Sequence, residues 1–130
     1  MKKFYKWYKN GRLVKESLDP EGEKVTVEYF PNNVTIRRNF HSNRVGHIFY
    51  YQNGKLHREE GPAAITFNYT GSVRFEEYFQ NGELHRDPNK GPAFIEYLDS
   101  STGLILREEF YFNGLKVIKT PEGWEREDWG

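Results

Sequence analysis

Two stretches of the 130-residue chain bring titratable side chains close enough together to suggest chemistry. His57 and His85 each stand in a Leu-His-Arg-acid run, followed two residues on by Glu59 and Asp87. A histidine near a carboxylate can act as a general base, but only with a pocket and a positioned partner. Glu76-Glu77 and Glu108-Glu109 offer the two carboxylates that glycoside hydrolysis uses. Adjacent strand residues point to opposite faces, however, so neither pair can flank one bond. His41 and His47 would have to gather distant ligands for zinc in a chain without cysteine. Gly61-Pro62 and Gly91-Pro92 open no helix and precede no Gly-Lys-Ser/Thr, so they are turns at strand starts rather than phosphate loops. The sequence thus predicts no catalytic residue, no metal site and no cofactor.

The recurrence of these residues has a simpler origin, because residues 50–77 are written again, with small insertions, as residues 78–109. The shared points are an aromatic pair, Asn-Gly, Leu-His-Arg, an acid, Gly-Pro-Ala, an Ile, a Thr-Gly and a Glu-Glu pair. A truncated third start follows at Phe110 to Val117, and a degraded copy precedes at Trp7 to Leu13, with Asn32-Asn33 as a further turn. One repeat domain over 1–130 is expected: a degenerate cap at 1–45, two full repeats and a truncated third at 46–118, and an acidic, Trp-containing tail at 119–130.

The aromatic-aromatic-x-Asn-Gly-Lys-Leu pattern resembles the MORN-variant repeats of YwqK-type proteins, some of them described as antitoxin components. Leu56 to Ala63, Leu-His-Arg-Glu-Glu-Gly-Pro-Ala, resembles a subset found in bacteriophage and giant-virus proteins. The resemblance covers residues 48–118. It implies stacked β-hairpins, an interaction role such as an inhibitor or antitoxin-like host-interaction factor, and no catalytic residues.

Asn-Gly between β-forming residues is the strongest short-range hairpin signal, since a type I′ turn needs positive φ at both central positions. Hairpins are therefore predicted at Asn10-Gly11, Asn53-Gly54, Asn81-Gly82 and Asn113-Gly114. Two-residue loops would set Tyr51 opposite Leu56, Tyr50 opposite His57, Phe79 opposite Leu84, Tyr78 opposite His85 and Glu77 opposite Arg86. Thr70-Gly71 and Thr102-Gly103 would close the intervening hairpins, and a further turn is expected across Arg44-Val45-Gly46. The fold class is all-β: an antiparallel meander of stacked hairpins, able to coil on itself, with little or no helix. Each His is expected to lie on a Tyr of the neighbouring strand and each Arg to pair with an acid.

Nineteen basic and nineteen acidic residues cancel, so no uniform field draws nucleic acid or an anionic membrane. A single-stranded nucleic acid could still stack along Lys2 to Lys15 with Arg37 and Arg38, and exposed aromatics could take a glycan, but strand-spaced aromatics more often pack. No apolar run resembles a signal peptide or a membrane span, which makes the cytoplasm, or a host's, the expected compartment. The expected function is non-catalytic protein binding to an unidentified partner, with sheet edges as a route to homo-oligomers or a self-assembling structural subunit. The partner-binding candidates are Tyr50, His57, Tyr78 and His85, which recur as a row, and Trp124 and Trp129 in the tail. If the row is covered, the opposite face or the tail inherits that role. The tail is expected to dock as a cap rather than stay free.

Overall fold

The computed structural model describes residues 4–20, 24–42 and 44–127. Its elements are β1 (Tyr5–Lys9), β2 (Arg12–Ser17), β3 (Val25–Phe30), β4 (Val34–His41), β5 (Arg44–Gln52), β6 (Lys55–Leu56), β7 (Ala64–Phe67), β8 (Val73–Glu77), β9 (Phe79–Gln80), β10 (Glu83–Leu84), β11 (Phe94–Asp99), β12 (Leu104–Phe112), β13 (Leu115–Thr120) and β14 (Gly123–Arg126). None of the described residues is helical. One antiparallel sheet runs in the order β1-β2-β3-β4-β5-β7-β8-β11-β12-β13-β14, with β6 paired to β5, and β9 pairs with β10. The protein is an all-β meander that does not close into a barrel.

The Asn-Gly turns set this pattern. Asn10, Asn53, Asn81 and Asn113 have φ of 50–53°, and the glycines after them 75–85°, the left-handed pair that a type I′ turn requires. Tyr51 faces Leu56 and Phe79 faces Leu84, as the turn spacing predicts. Asn32 and Asn33, also at positive φ, turn β3 into β4.

After those pairs the two full repeats part from a simple hairpin. The Tyr50 carbonyl accepts the His57 N–H (3.0 Å), while the Tyr50 N–H donates to the Ala63 carbonyl (2.8 Å). Tyr78 does the same with His85 (2.9 Å) and Ala93 (2.8 Å). One tyrosine backbone thus grips both ends of a loop, residues 58–62 in one repeat and 86–92 in the next. The loop is filled by its own arginine. The Arg58 guanidinium lies 3.9 Å over the Tyr50 ring and donates to the Pro62 carbonyl (3.2 Å). Arg86 lies 4.1 Å over Tyr78 and donates to the Pro92 carbonyl (3.1 Å). Glycine is needed opposite the guanidinium. Gly61 and Gly91 have φ of 115° and 148°, and a Cβ on them would sit 3.0 and 2.5 Å from the arginine Nη1. The chain then rejoins the sheet through Ala63 and Ala93, both fully buried.

This loop corrects the expected pairing of Glu77 with Arg86. Glu77 faces Ala64 and Phe94, because the strand after His85 has left the hairpin and Ala93 has taken its place. Each arginine meets a tyrosine rather than an acid, and burial pushes the Glu77 carboxyl up. The hairpin at Thr70-Gly71 keeps its expected register, with Ile65 opposite Glu76 and Thr66 opposite Phe75. A turn centred on Thr102-Gly103 would set Ile95 opposite Phe110, whereas Ile95 faces Glu108. Asp99 Oδ1 accepts the Ser101 N–H (3.0 Å) and hydroxyl (2.6 Å), an Asx-type turn that centres the loop on Ser101-Thr102. Those bonds hold the Asp99 carboxyl below its ordinary range. A slip of two residues preserves the faces of residues 94–96 against 107–109, since the strand period is two, and beyond them a bulge sets Tyr97 opposite Ile105. The turn expected across Arg44-Val45-Gly46 comes earlier: His41 pairs with Arg44 and His47 with Asn39.

Little is sealed from water. Pro62, Ala63, Ala64, Ala93, Ile95 and Val117 are the buried apolar residues among those described, and the largest fully covered side chain is Ser17. Ser17 and Asp19 satisfy one another beside Val25 and Lys24. Elsewhere, half-covered rings and charges carry the packing. Tyr29 donates to Glu16 (2.7 Å) and Tyr97 to Glu76 (2.5 Å), and Arg38 pairs with Glu28.

Two outcomes are expected. Gly91→Ala should lower stability by about 1–2 kcal/mol in urea unfolding, through both positive φ and the clash with Arg86. Part of that loss should vanish in an Arg86→Ala background, where only the backbone strain remains. Burial, followed by the carboxylate hydrogen bond, pushes Tyr29 and Tyr97 up to about 12. The fold holds these protons more tightly than the unfolded chain does, so the associated stability is full below pH about 10 and is lost as pH rises toward 12. Tyr29→Phe and Tyr97→Phe should each flatten that alkaline loss in pH-dependent thermal unfolding.

Candidate functional site

The recurrent Tyr and His side chains are drawn into the joints between repeats. The His57 Nδ1 accepts the backbone N–H of Asn81 (3.1 Å), and the His85 Nδ1 accepts that of Asn113 (2.9 Å). Each ring therefore holds the Asn-Gly turn of the following repeat. Accepting at Nδ1 places the His57 proton on Nε2, which donates to Glu59 (2.7 Å). The lone pair that a general base would use is occupied by the backbone. Backbone bonds reinforce the joint: the Gly82 N–H meets the Leu56 carbonyl and the Gly114 N–H the Leu84 carbonyl, both at 2.8 Å. The His57 side chain is 9% exposed, and His85 packs against Phe112 with ring centroids 4.6 Å apart. Tyr50 and Tyr78 lie under their arginines. The row is half-buried and structural in its contacts.

Between the two arginine loops lies a groove of about 520 Å³, lined among others by Glu59, Glu60, Tyr78, Arg86, Asp87 and Lys90. Its charges alternate in sign, and both arginines are already committed to tyrosine rings and proline carbonyls. No group of three or more His, Asp or Glu side chains among the described residues gathers as a metal cluster.

The tail closes on the last repeat. Trp124, on β14, packs on Phe110 (4.7 Å between ring centroids), lies under Lys119 and donates from Nε1 to Asn89 (3.1 Å). It also lines an apolar groove of about 430 Å³ with Pro88, Phe112, Leu115 and Val117. The tail is thus a docked strand as far as Glu127, whose N–H reaches the Lys116 carbonyl (2.9 Å). Trp129 lies outside the described residues, as do Lys2 and Lys3 of the basic N-terminal segment.

The most exposed apolar cluster is elsewhere, at the end of β11 and the start of β12. Leu98, Leu104, Ile105 and Leu106 are 63, 54, 43 and 60% exposed. The reason is topological. The corresponding stretches of β5 and β8 are covered by β7 and β11, the strands that Gly-Pro-Ala brings back into the sheet. In the third repeat Val117 and Ile118 stand where His85 and Arg86 stand in the second, and no Gly-Pro-Ala follows. The arm therefore runs on as β13, which pairs with β12 only at Phe110–Phe112. No described strand covers the outer side of residues 104–109. The Glu109 carbonyl receives the Ala93 N–H, so strand alternation turns the backbone groups of Glu108 to the outer side. Sequence reasoning missed this edge, although its signal was present: an apolar Leu-Ile-Leu run just ahead of a third repeat start that no Gly-Pro-Ala follows.

Replacing His85 by Ala should cost about 1–2 kcal/mol in urea unfolding, from a lost acceptor and lost ring contact. Amide exchange at Asn113 should accelerate while that at Asn53, whose N–H reaches the Asn33 carbonyl instead, stays unchanged.

Comparison with family models, curated proteins and solved structures found no match to this chain.

Proposed function

We propose that the chain is a non-catalytic, MORN-like repeat scaffold that binds protein by strand addition at the open edge of β12. The observation that carries this reading is the exposed Leu104-Ile105-Leu106 run on a stretch of strand with no outer neighbour among the described residues. A strand edge supplies main-chain hydrogen bonds to an extended segment, and alternating side chains supply selectivity. Exposed apolar clusters on an edge promote pairing with another chain. Within this protein the same kind of edge is filled twice, by β7 and by β11, so the geometry of the added strand is already represented. The resemblance of Leu56 to Ala63 to phage and giant-virus repeats supports an accessory or host-interaction role. The Tyr50, His57, Tyr78 and His85 row contributes by keeping the hairpin stack in register, and Trp124 by shaping the groove beside the last turn.

The experiment is affinity capture of interacting proteins with wild type and with Ile105→Lys and Leu106→Lys variants whose far-UV circular dichroism and thermal midpoint match the wild type. Both variants are expected to lose captured protein at least about tenfold, the cost of a lysine in an apolar strand contact being above roughly 1.4 kcal/mol. Retention of every captured protein by both variants would exclude this edge.

A further inference from the structure

We propose that the segment added at the β12 edge is β1 of a second copy of this chain, so that copies join head to tail into a continued sheet. This rests on the strand-addition reading and names its partner.

The unpaired strand edges among the described residues include residues 104–109 of β12, the outer side of β1, which pairs only with β2, and the outer side of β14, which pairs only with β13. The β14 edge has four residues, and its hairpin, residues 115–126, holds Lys116, Lys119 and Arg126 against Glu122 and Glu125, a net of 3 − 2 = +1, which makes it a weaker match to an acidic edge than β1. Lengths agree, with five residues in β1 against six along the β12 edge. The edge of β1 is regular, whereas β12 carries an extra residue, Leu106, against β11. Trp7 faces Lys15 and Tyr8 faces Leu13, so the extra residue of the bulge, Val14, belongs to β2. Tyr5 and Tyr8 are 37 and 62% exposed and bring apolar surface to meet Leu104, Ile105 and Leu106.

Charge decides between like and unlike pairing. The β1–β2 hairpin, residues 5–17, holds Lys6, Lys9, Arg12 and Lys15 against Glu16, a net of 4 − 1 = +3. The β11–β12 hairpin, residues 94–109, holds Arg107 against Glu96, Asp99, Glu108 and Glu109, a net of 1 − 4 = −3. Two β1 edges repel one another, and so do two β12 edges. Only the unlike combination is attractive, and like-charge repulsion of this kind is how interfaces reject wrong partners. Such a contact is heterologous, and copies joined through it form a ring if the rotation closes and an open filament if it does not.

The test is sedimentation of purified full-length chain over a range of concentrations and salt, with two blocked variants. Lys6→Glu/Lys9→Glu reverses the charge of β1. Glu108→Pro removes an outward N–H from the β12 edge and leaves the β11 ladder intact, since that N–H faces away from β11; Leu106→Lys replaces it if the proline variant does not fold. Wild type should grow in mass with concentration and shrink with added salt. Each variant alone should sediment as a monomer, and an equimolar mixture should give a species of twice the chain's mass and no larger, because one intact β1 and one intact edge remain. A wild type that stays monomeric at every concentration would overturn the head-to-tail contact, as would either variant assembling alone. A monomeric wild type that still captures another protein through Ile105 and Leu106 would overturn the second copy as partner and leave the strand-addition reading in place.

Discussion

The guanidinium of Arg58 over Tyr50, and of Arg86 over Tyr78, decides the path of the chain. Without it, the arm leaving Asn-Gly runs on as a single strand, as β2 and β13 do. With it, the chain leaves after two residues, folds around the arginine and rejoins the sheet beside the lower half of that strand. The tyrosine serves twice, its ring stacking on the cation and its backbone holding both loop ends. A desolvated cation–π contact is worth up to about 2 kcal/mol, and the proline carbonyl adds a charge-assisted hydrogen bond. Glycine and alanine are then required by space, not by strand propensity, since both beads of chain lie against the filled loop.

The rest of the sheet depends on this device because the protein has almost no interior. With alanines dominating the buried apolar residues, hydrophobic burial per residue is modest, and stability is distributed over rings, cations and joints between successive turns. Each joint has the same parts: a histidine acceptor for the next asparagine amide, and a leucine carbonyl for the next glycine amide. Coupling between nearest neighbours is the usual energetic form of repeat proteins. It follows that the histidines, which looked like chemistry in the sequence, are consumed by periodicity.

Much of this was legible in the residues. Asparagine before glycine fixed the type I′ turns, and the pairs nearest each turn followed from counting, because a two-residue loop leaves one register. Where Asp99 recentred a loop by two residues, the strand period protected the assignment of faces at residues 94–96 but not at Tyr97, which a bulge sets opposite Ile105. What was not legible was the departure of the arm. Counting outward from Asn81-Gly82 assumes that a strand keeps its partner, so it placed Arg86 against Glu77, when the arginine instead covers the ring of Tyr78, the residue next to Glu77 in the facing arm, and the pairing ends at His85. The docking of Trp124 against Phe110 was foreseeable as a cap, but the groove it shapes depends on Pro88 and Asn89 from the preceding loop, which no local pattern brings there. The open edge of β12 was hidden for the same reason. A strand is uncovered only in relation to a neighbour that fails to return.

That failure follows from a few side chains. Lys116-Val117-Ile118 stands where Leu84-His85-Arg86 stands one repeat earlier. Lysine at the first of these bridges Glu109 (3.1 Å) and Glu127 (3.0 Å), tying the arm to the strand before it and the segment after it. Valine at the second is buried but offers no acceptor for a following turn, and isoleucine at the third has no cation to fill a loop. The arm consequently continues straight into β13 and turns back as β14. The degraded first copy shares the unbroken arm: Arg12 and Leu13 follow Asn10-Gly11 without His-Arg, and β2 runs as one strand to Ser17, paired with β1 throughout, whereas β13 leaves β12 after Val117. Arms that lack the arginine run on as single strands, and arms that carry it fold around a loop. The array stops where the arginine is absent, and stopping in this way leaves the lower half of the last long strand without the neighbour that every earlier one has.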